Sequence, residues 1–192
     1  VKSTLAKLLV HYYDVTGGAI RLGGQDLRDM SLQALNDQIS YVSQEQFLFN
    51  TSLLENIRAG RLTATDEEVM EAARKAQCME FLDRLPEGIH TMAGDGGKQL
   101  SGGERQRICL ARAILKDAPV IVLDEATASV DADNEQYIQE AISELCRGKT
   151  LLVIAHRLHT IRDADQILVI RDGRIAQRGT HDLLMEEGGP YR

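Results

Sequence analysis

Leu100-Ser101-Gly102-Gly103-Glu104 runs directly into Arg105-Gln106-Arg107-Ile108-Cys109-Leu110-Ala111-Arg112-Ala113-Ile114-Leu115, and the two halves of this stretch read differently. The second half has helical periodicity, with an apolar stripe at Ile108, Leu110, Ala111, Ile114 and Leu115. In the first half, Ser101 and Glu104 stand at the S-x-x-E spacing of a capping box, which predicts that the helix starts here. Gly102 and Gly103 carry no side chain, so an anion such as phosphate can approach the backbone N–H groups at the positive end of the helix dipole. Taken alone, the stretch fits a capped surface helix without a ligand equally well.

Working outward, Pro119 marks a change of pattern. Val120-Ile121-Val122-Leu123 is a continuous, largely β-branched run, suited to a parallel strand buried on both faces. Asp124 and Glu125 end it, at the position where open α/β sheets place ligands; adjacent acids there also serve simply to cap a following helix. Residues 131–145 predict an amphipathic helix with Ile138, Ala141, Ile142 and Leu145 inward. Residues 150–155 predict a second buried strand ending in His156, then come strands at 166–170 and 175–177 and a final helix capped by Thr180. Strands alternating with helices imply α/β architecture, a mostly parallel sheet flanked by helices.

Upstream of Ser101 the pattern is helical. Thr65 and Glu68 form a second capping-box spacing, predicting a helix to about Cys78, and 81–85 predicts a shorter one before Pro86. Ala93-Gly94-Asp95-Gly96-Gly97-Lys98 reads as a glycine-rich turn, and Phe47-Leu48-Phe49, beside a helix cap, fits plain core. Ile39-Ser40-Tyr41-Val42-Ser43 predicts a strand ending in Gln44. Residues 19–22, between glycine pairs, predict a short strand of a small antiparallel sheet. At the start, Lys2-Ser3-Thr4 opens a helix with Leu5, Leu8 and Leu9 on one side. By itself this tripeptide reads as no more than a solvated helix N-terminus.

Composition narrows the classes. A chain of 192 residues, 43% hydrophobic and 27% charged, is long enough for a proper core and is not the composition of a disordered chain. A formal net charge of −7 argues against broad attraction to nucleic acid or an anionic membrane surface. Cys78, Cys109 and Cys146 are widely spaced, which fits reduced thiols in a cytosolic setting rather than a disulfide frame or a zinc site. The apolar runs fall far short of the roughly 20 residues that span a bilayer.

In order, Lys2-Ser3-Thr4, Gln44, Leu100–Glu104, Asp124-Glu125, Ser129-Val130-Asp131 and His156 resemble the motifs of the nucleotide-binding domain of an ATP-binding-cassette (ABC) transporter, from the first residues to the last. The resemblance implies a P-loop NTPase (RecA-like) fold with an RecA-like core at 1–44 and 119–192, an inserted helical subdomain at 45–118 that carries the signature Ser101–Gly103, and a partial antiparallel β-subdomain. It implies ATP and Mg²⁺ as the bound species. Lys2, Ser3 and Thr4 match the tail of the P-loop, with Val1 where its last glycine would stand, so the chain reads as truncated within that loop. Ser3, Gln44 and Asp124 match residues at the metal; Glu125 matches the acid that polarises the attacking water, His156 the switch histidine, and Gln44 the Q-loop. Ser101, Gly102, Gly103 and Glu104 match the signature motif, and Asp131 the D-loop, which also contacts the nucleotide interface.

In the family, each ATP is held between the P-loop of one subunit and the signature motif of the other. The resemblance therefore implies a head-to-tail pair of nucleotide-binding domains, joined to a transmembrane domain at the cytoplasmic face of a membrane. The segment 47–57 and the neighbourhoods of His156 and Thr180 resemble exporters most, and the resemblance implies that 47–57 forms part of the groove that receives a coupling helix. The glycine-rich loop keeps an acid, Asp95, but departs from the exporter Gly-Glu-Arg-Gly pattern, and Val130 replaces a common leucine. Two rival readings are a soluble ABC ATPase acting on DNA or ribosomes, and a truncated cassette that folds without gripping ATP.

Overall fold

A computed structural model describes residues 2–124, 132–155 and 161–191, with the backbone alone at 132 and 133. In chain order its elements are α1 (Lys2–Leu9), β1 (Arg21–Leu22), β2 (Gln25–Asp26), α2 (Leu32–Gln38), β3 (Ile39–Val42), α3 (Leu53–Arg58), α4 (Asp66–Lys75), α5 (Met79–Leu82), α6 (Gly102–Lys116), β4 (Val120–Asp124), α7 (Ala132–Cys146), β5 (Thr150–Ile154), β6 (Ile167–Arg171), β7 (Arg174–Gly179) and α8 (His181–Glu187). They form two units: a central one, Ser31–Leu152, and a terminal one, Val1–Met30 with Val153–Arg192.

The central unit is organised by α6. β3 and β4 pair in parallel, Ile39 opposite Val120 through Val42 opposite Leu123, in a sheet of order β3-β4-β5. Helix α6 packs against α3, α4, α7 and β3. It is buried on more than the stripe its periodicity predicts: Gln106 and Arg107 are interior along with Ile108, Leu110, Ala111 and Leu115. A helix surrounded by neighbours has no solvent face to reserve for polar residues. The core around it includes Leu48, Leu53, Ile57, Val69, Phe81, Ile121, Ile138 and Leu145. At its last turn, Lys116 Nζ donates to Ile39 O at 2.7 Å and Asn36 Oδ1 at 3.1 Å, tying the helix to the start of β3.

The local signals decide most element ends. Both capping boxes form, at Thr65–Glu68 and Ser101–Glu104. Helix α4 stops at Lys75 rather than near Cys78 because Gln77 turns into the left-handed region, φ 60°. The helix expected at 81–85 begins earlier and is a single turn, extended by the bonds Arg84 N to Phe81 O and Leu85 N to Leu82 O. Strand β5 departs from expectation: its first three residues are exposed, Leu151 at 41% and Leu152 at 37%, and burial is reached only at Ile154. It stands at the end of the sheet order, where an apolar sequence does not by itself supply a covering layer.

In the terminal unit, the strand expected at 19–22 is confined to β1, Arg21–Leu22, and pairs antiparallel with β2 in a short hairpin. The strands expected at 166–170 and 175–177 are β6 and β7, paired antiparallel with each other and not members of the parallel sheet. The reason is local: Asp172 and Gly173, both at positive φ, close a two-residue turn whose twist suits a hairpin. Leu184 of α8 packs with Ile167 and Tyr191. Thr180 stands at the N-cap of α8, yet its side chain makes no capping bond, and the N3 position holds Leu183 rather than a glutamate. Instead Tyr191 shares a 2.8 Å hydrogen bond with His181 Nδ1, and Tyr191 N donates to Gln177 Oε1 at 3.0 Å. In α1, Ala6 is buried and Leu5 is exposed, so the inward face is rotated from the Leu5–Leu8–Leu9 stripe.

The cysteines Cys78, Cys109 and Cys146 are all free thiols. Burial pushes the Cys78 thiol up to about 12.

Candidate nucleotide site

Ser101 enters α6 in an extended conformation, φ −65° and ψ 164°. Glu104 N donates to Ser101 Oγ at 3.2 Å, and Ser101 N donates to Glu104 Oε2 at 2.8 Å. This exchange satisfies two of the backbone donors at the helix start and leaves the N–H groups of Gly102 and Gly103 outside the helix's own ladder. A side chain at Gly102 would meet nothing closer than Arg105 Nη2 at 3.8 Å, so the approach to this backbone is open. Gly103 is a glycine for another reason. A Cβ there would lie 2.5 Å from Asn134 Cγ, so α7 and α6 could not approach as closely.

Asn134 also accepts from Arg107 Nη2 at 2.8 Å. Arg107 is only 1% exposed, and it donates further to Gln77 O at 2.8 Å and to Glu80 Oε2 at 3.1 Å. Its guanidinium lies over the rings of Phe81 and Tyr137, 4.8 and 4.9 Å from their centroids. The signature turn is thus held from below by a buried cation joining α5, α6 and α7. In the sequence Arg107 is one residue of a helical run; burial of a charge at this point depends on α5 and α7 closing over it.

Asp124 ends β4 and is 6% exposed. Tyr41 Oη donates to its Oδ2 at 3.0 Å. Gln44 follows β3, exposed, after a turn in which Ser43 Oγ donates to Glu45 O at 2.7 Å. Because β3 and β4 are parallel and in register, Gln44 and Asp124 leave the sheet at the same edge, the carboxyl ends of neighbouring strands. In the terminal unit, Lys2 is exposed with Nζ 3.4 Å from Ala155 O, Ser3 is half-buried and Thr4 exposed. Glu125, Asp131 and His156 lie outside the described residues, as does the rest of Ser129-Val130-Asp131.

The donor chemistry suits magnesium. A hard cation takes oxygen ligands, and Mg²⁺ is commonly held through one or two carboxylates together with substrate phosphates. Among the described residues no cluster of three or more His, Cys, Asp or Glu could hold a metal ion alone, whereas Asp124 supplies one buried carboxylate at the strand end. Gly102, with its uncovered backbone, suits a phosphate.

Next to this site stands Phe47-Leu48-Phe49. Only Leu48 is core; Phe47 and Phe49 are exposed, edge to face with centroids 5.2 Å apart. The loop's path is set by Asn56, fully buried: Phe49 N donates to its Oδ1 at 2.8 Å, and its Nδ2 donates to Phe49 O and Ser52 O, both at 3.0 Å.

A P-loop-type α/β layout with this helix start and strand-end acid defines a class, and comparison with known proteins agrees. The family model described as ABC transporter matches residues 2–128. The chain is 51% identical over 193 aligned positions to an ATP-dependent lipid A-core flippase of Alkalilimnicola ehrlichii, covering 99% of this chain and 32% of that protein. It is 48% identical over 191 positions to the human mitochondrial potassium channel ATP-binding subunit, covering 99% of this chain and 26% of that protein. A solved structure of a bacterial Atm1-family ABC exporter with ATP bound superposes with a TM-score of 0.90 at 41% identity, covering 97% of this chain and 33% of the other. The chain belongs to the ABC transporter family, as a nucleotide-binding domain of exporter type. Domains of this family bind ATP. The chain spans about a third or less of the length of these relatives. Among the described residues no helix is long and apolar enough to cross a membrane.

Proposed function

We propose that this chain binds and hydrolyses ATP to drive an exporter, at the cytoplasmic face of a membrane. The observation that carries this reading is Asp124, a buried carboxylate at the carboxyl end of β4, beside the parallel strand that leads to Gln44. Asp124, Gln44 and Ser3 would hold Mg²⁺, which when bound supplies charge neutralisation at the outer phosphates. Lys2, Ser3 and Thr4 bind phosphate. Glu125 accepts a proton from the attacking water, and His156 and Gln44 orient that water.

The N–H groups at Gly102 and Gly103, with Ser101 and Glu104 fixing the turn, bind the nucleotide of a second nucleotide-binding domain placed head to tail, with Asp131 at the same interface. In this reading 45–118 is the helical subdomain and 1–44 with 119–192 the ATP-binding core. The exposed Phe47 and Phe49 receive a segment of the transmembrane domain. Closure on ATP and opening after hydrolysis then move that domain between two states.

The test is Glu125→Gln in the full-length protein. ATP binding should persist while hydrolysis slows at least about a hundredfold. Turnover close to that of the unsubstituted protein would overturn the assignment of Glu125.

A further inference from the structure

We infer that Tyr41 is a positioning residue for the metal-binding carboxylate, an inference that rests on the reading of Asp124 given above. The sheet register brings the two together. Tyr41 lies opposite Val122, and side chains alternate along a strand, so Asp124, two residues further on, projects to the same face as Tyr41. The phenolic O–H reaches Asp124 Oδ2 at 3.0 Å from a half-buried ring.

The consequence follows from torsional freedom. The last torsion of an aspartate is broad, so a strand-end carboxylate can turn its plane with little resistance. A hydrogen bond from a ring anchored on the neighbouring strand selects one orientation. Mg²⁺ demands near-ideal octahedral geometry, so it is sensitive to the plane its carboxylate presents. Removing a partner that orients a ligating group in this way typically costs roughly tenfold or more in metal affinity. The hydroxyl is the only atom of Tyr41 this role requires, and Tyr41→Phe removes it while leaving the ring.

The experiment measures Mn²⁺ binding by electron paramagnetic resonance on the full-length protein with a non-hydrolysable ATP analogue, alongside metal-free analogue binding and thermal stability. Tyr41→Phe should raise the half-saturating Mn²⁺ concentration about tenfold and leave metal-free analogue binding unchanged. Asp124→Asn is the control for the underlying reading: if it does not weaken Mn²⁺ binding, Asp124 is not the metal carboxylate and that reading fails. If Asp124→Asn weakens Mn²⁺ binding but Tyr41→Phe binds Mn²⁺ as the unsubstituted protein does, with or without a lower melting temperature, the positioning role is overturned. A Tyr41→Phe protein that does not fold also overturns it, since the hydroxyl then serves the fold rather than the metal.

Discussion

Helix α6 carries arginines on two faces, and the faces are built for different purposes. Arg107 and Arg112 are five residues apart, which turns them about 140° from each other around the helix. Arg107 points inward, giving its donors to Gln77 O, Glu80 and Asn134, with two aromatic rings beside it. Among the described residues its Nε has no hydrogen-bond partner. Arg112 points toward the Phe47–Phe49 loop, donating to Asn56 O at 2.8 Å and to Phe47 O at 3.3 Å, with Phe49 5.7 Å from its guanidinium. One cation organises the interior behind the signature turn; the other fastens a surface loop. The same residue type therefore does structural work of different weight, and what decides is how deeply the guanidinium itself is buried: Arg107 lies in the interior, Arg112 is only partly buried.

The contrast can be broken by substitution. Arg107→Ala empties a fully buried position beside Phe81 and Tyr137 and removes the donor to Gln77 O and Asn134 Oδ1, and should cost about 3 kcal/mol in urea unfolding. Arg107→Lys should recover little of it, because an ammonium cannot reach three acceptors with a planar fork. Arg112→Ala should cost less, about 1.5 kcal/mol, and should show as faster limited proteolysis near Phe47. Equal losses for the two alanine variants would erase the distinction between interior and surface arginines. The smallest effect sharpens it: the hydrogen-bond partners of Arg107 and Arg112 do not overlap, so the double variant should lose the sum of the single losses to within about 0.5 kcal/mol.

What was legible in the chain follows the reach of each interaction. The capping boxes at Thr65 and Ser101 span three residues, so their spacing is enough to read them. Thr180 has the right residue type, but Leu183 stands where a reciprocating glutamate would, and the cap side chain makes no bond. The strand at β4 is legible because its β-branched run needs a buried sheet. The exposure of β5 is not, because it depends on where that strand falls in the sheet order. Of the site, Ser101–Glu104, Asp124 and Gln44 are visible as motifs. Tyr41 is not, since it is 83 residues from Asp124 and only the pairing of β3 with β4 joins them. Arg107 escapes for the same reason, its acceptors lying at Gln77, on α5 and on α7.

The amide of Asn56 shapes the loop at 47–52 through backbone atoms alone. The main-chain path of that loop therefore has a support that does not pass through the rings it displays. Side chains at 47 and 49 can be exchanged while the mount beneath them stays put, so the surface can be re-fitted to a different counterpart without redesigning its frame.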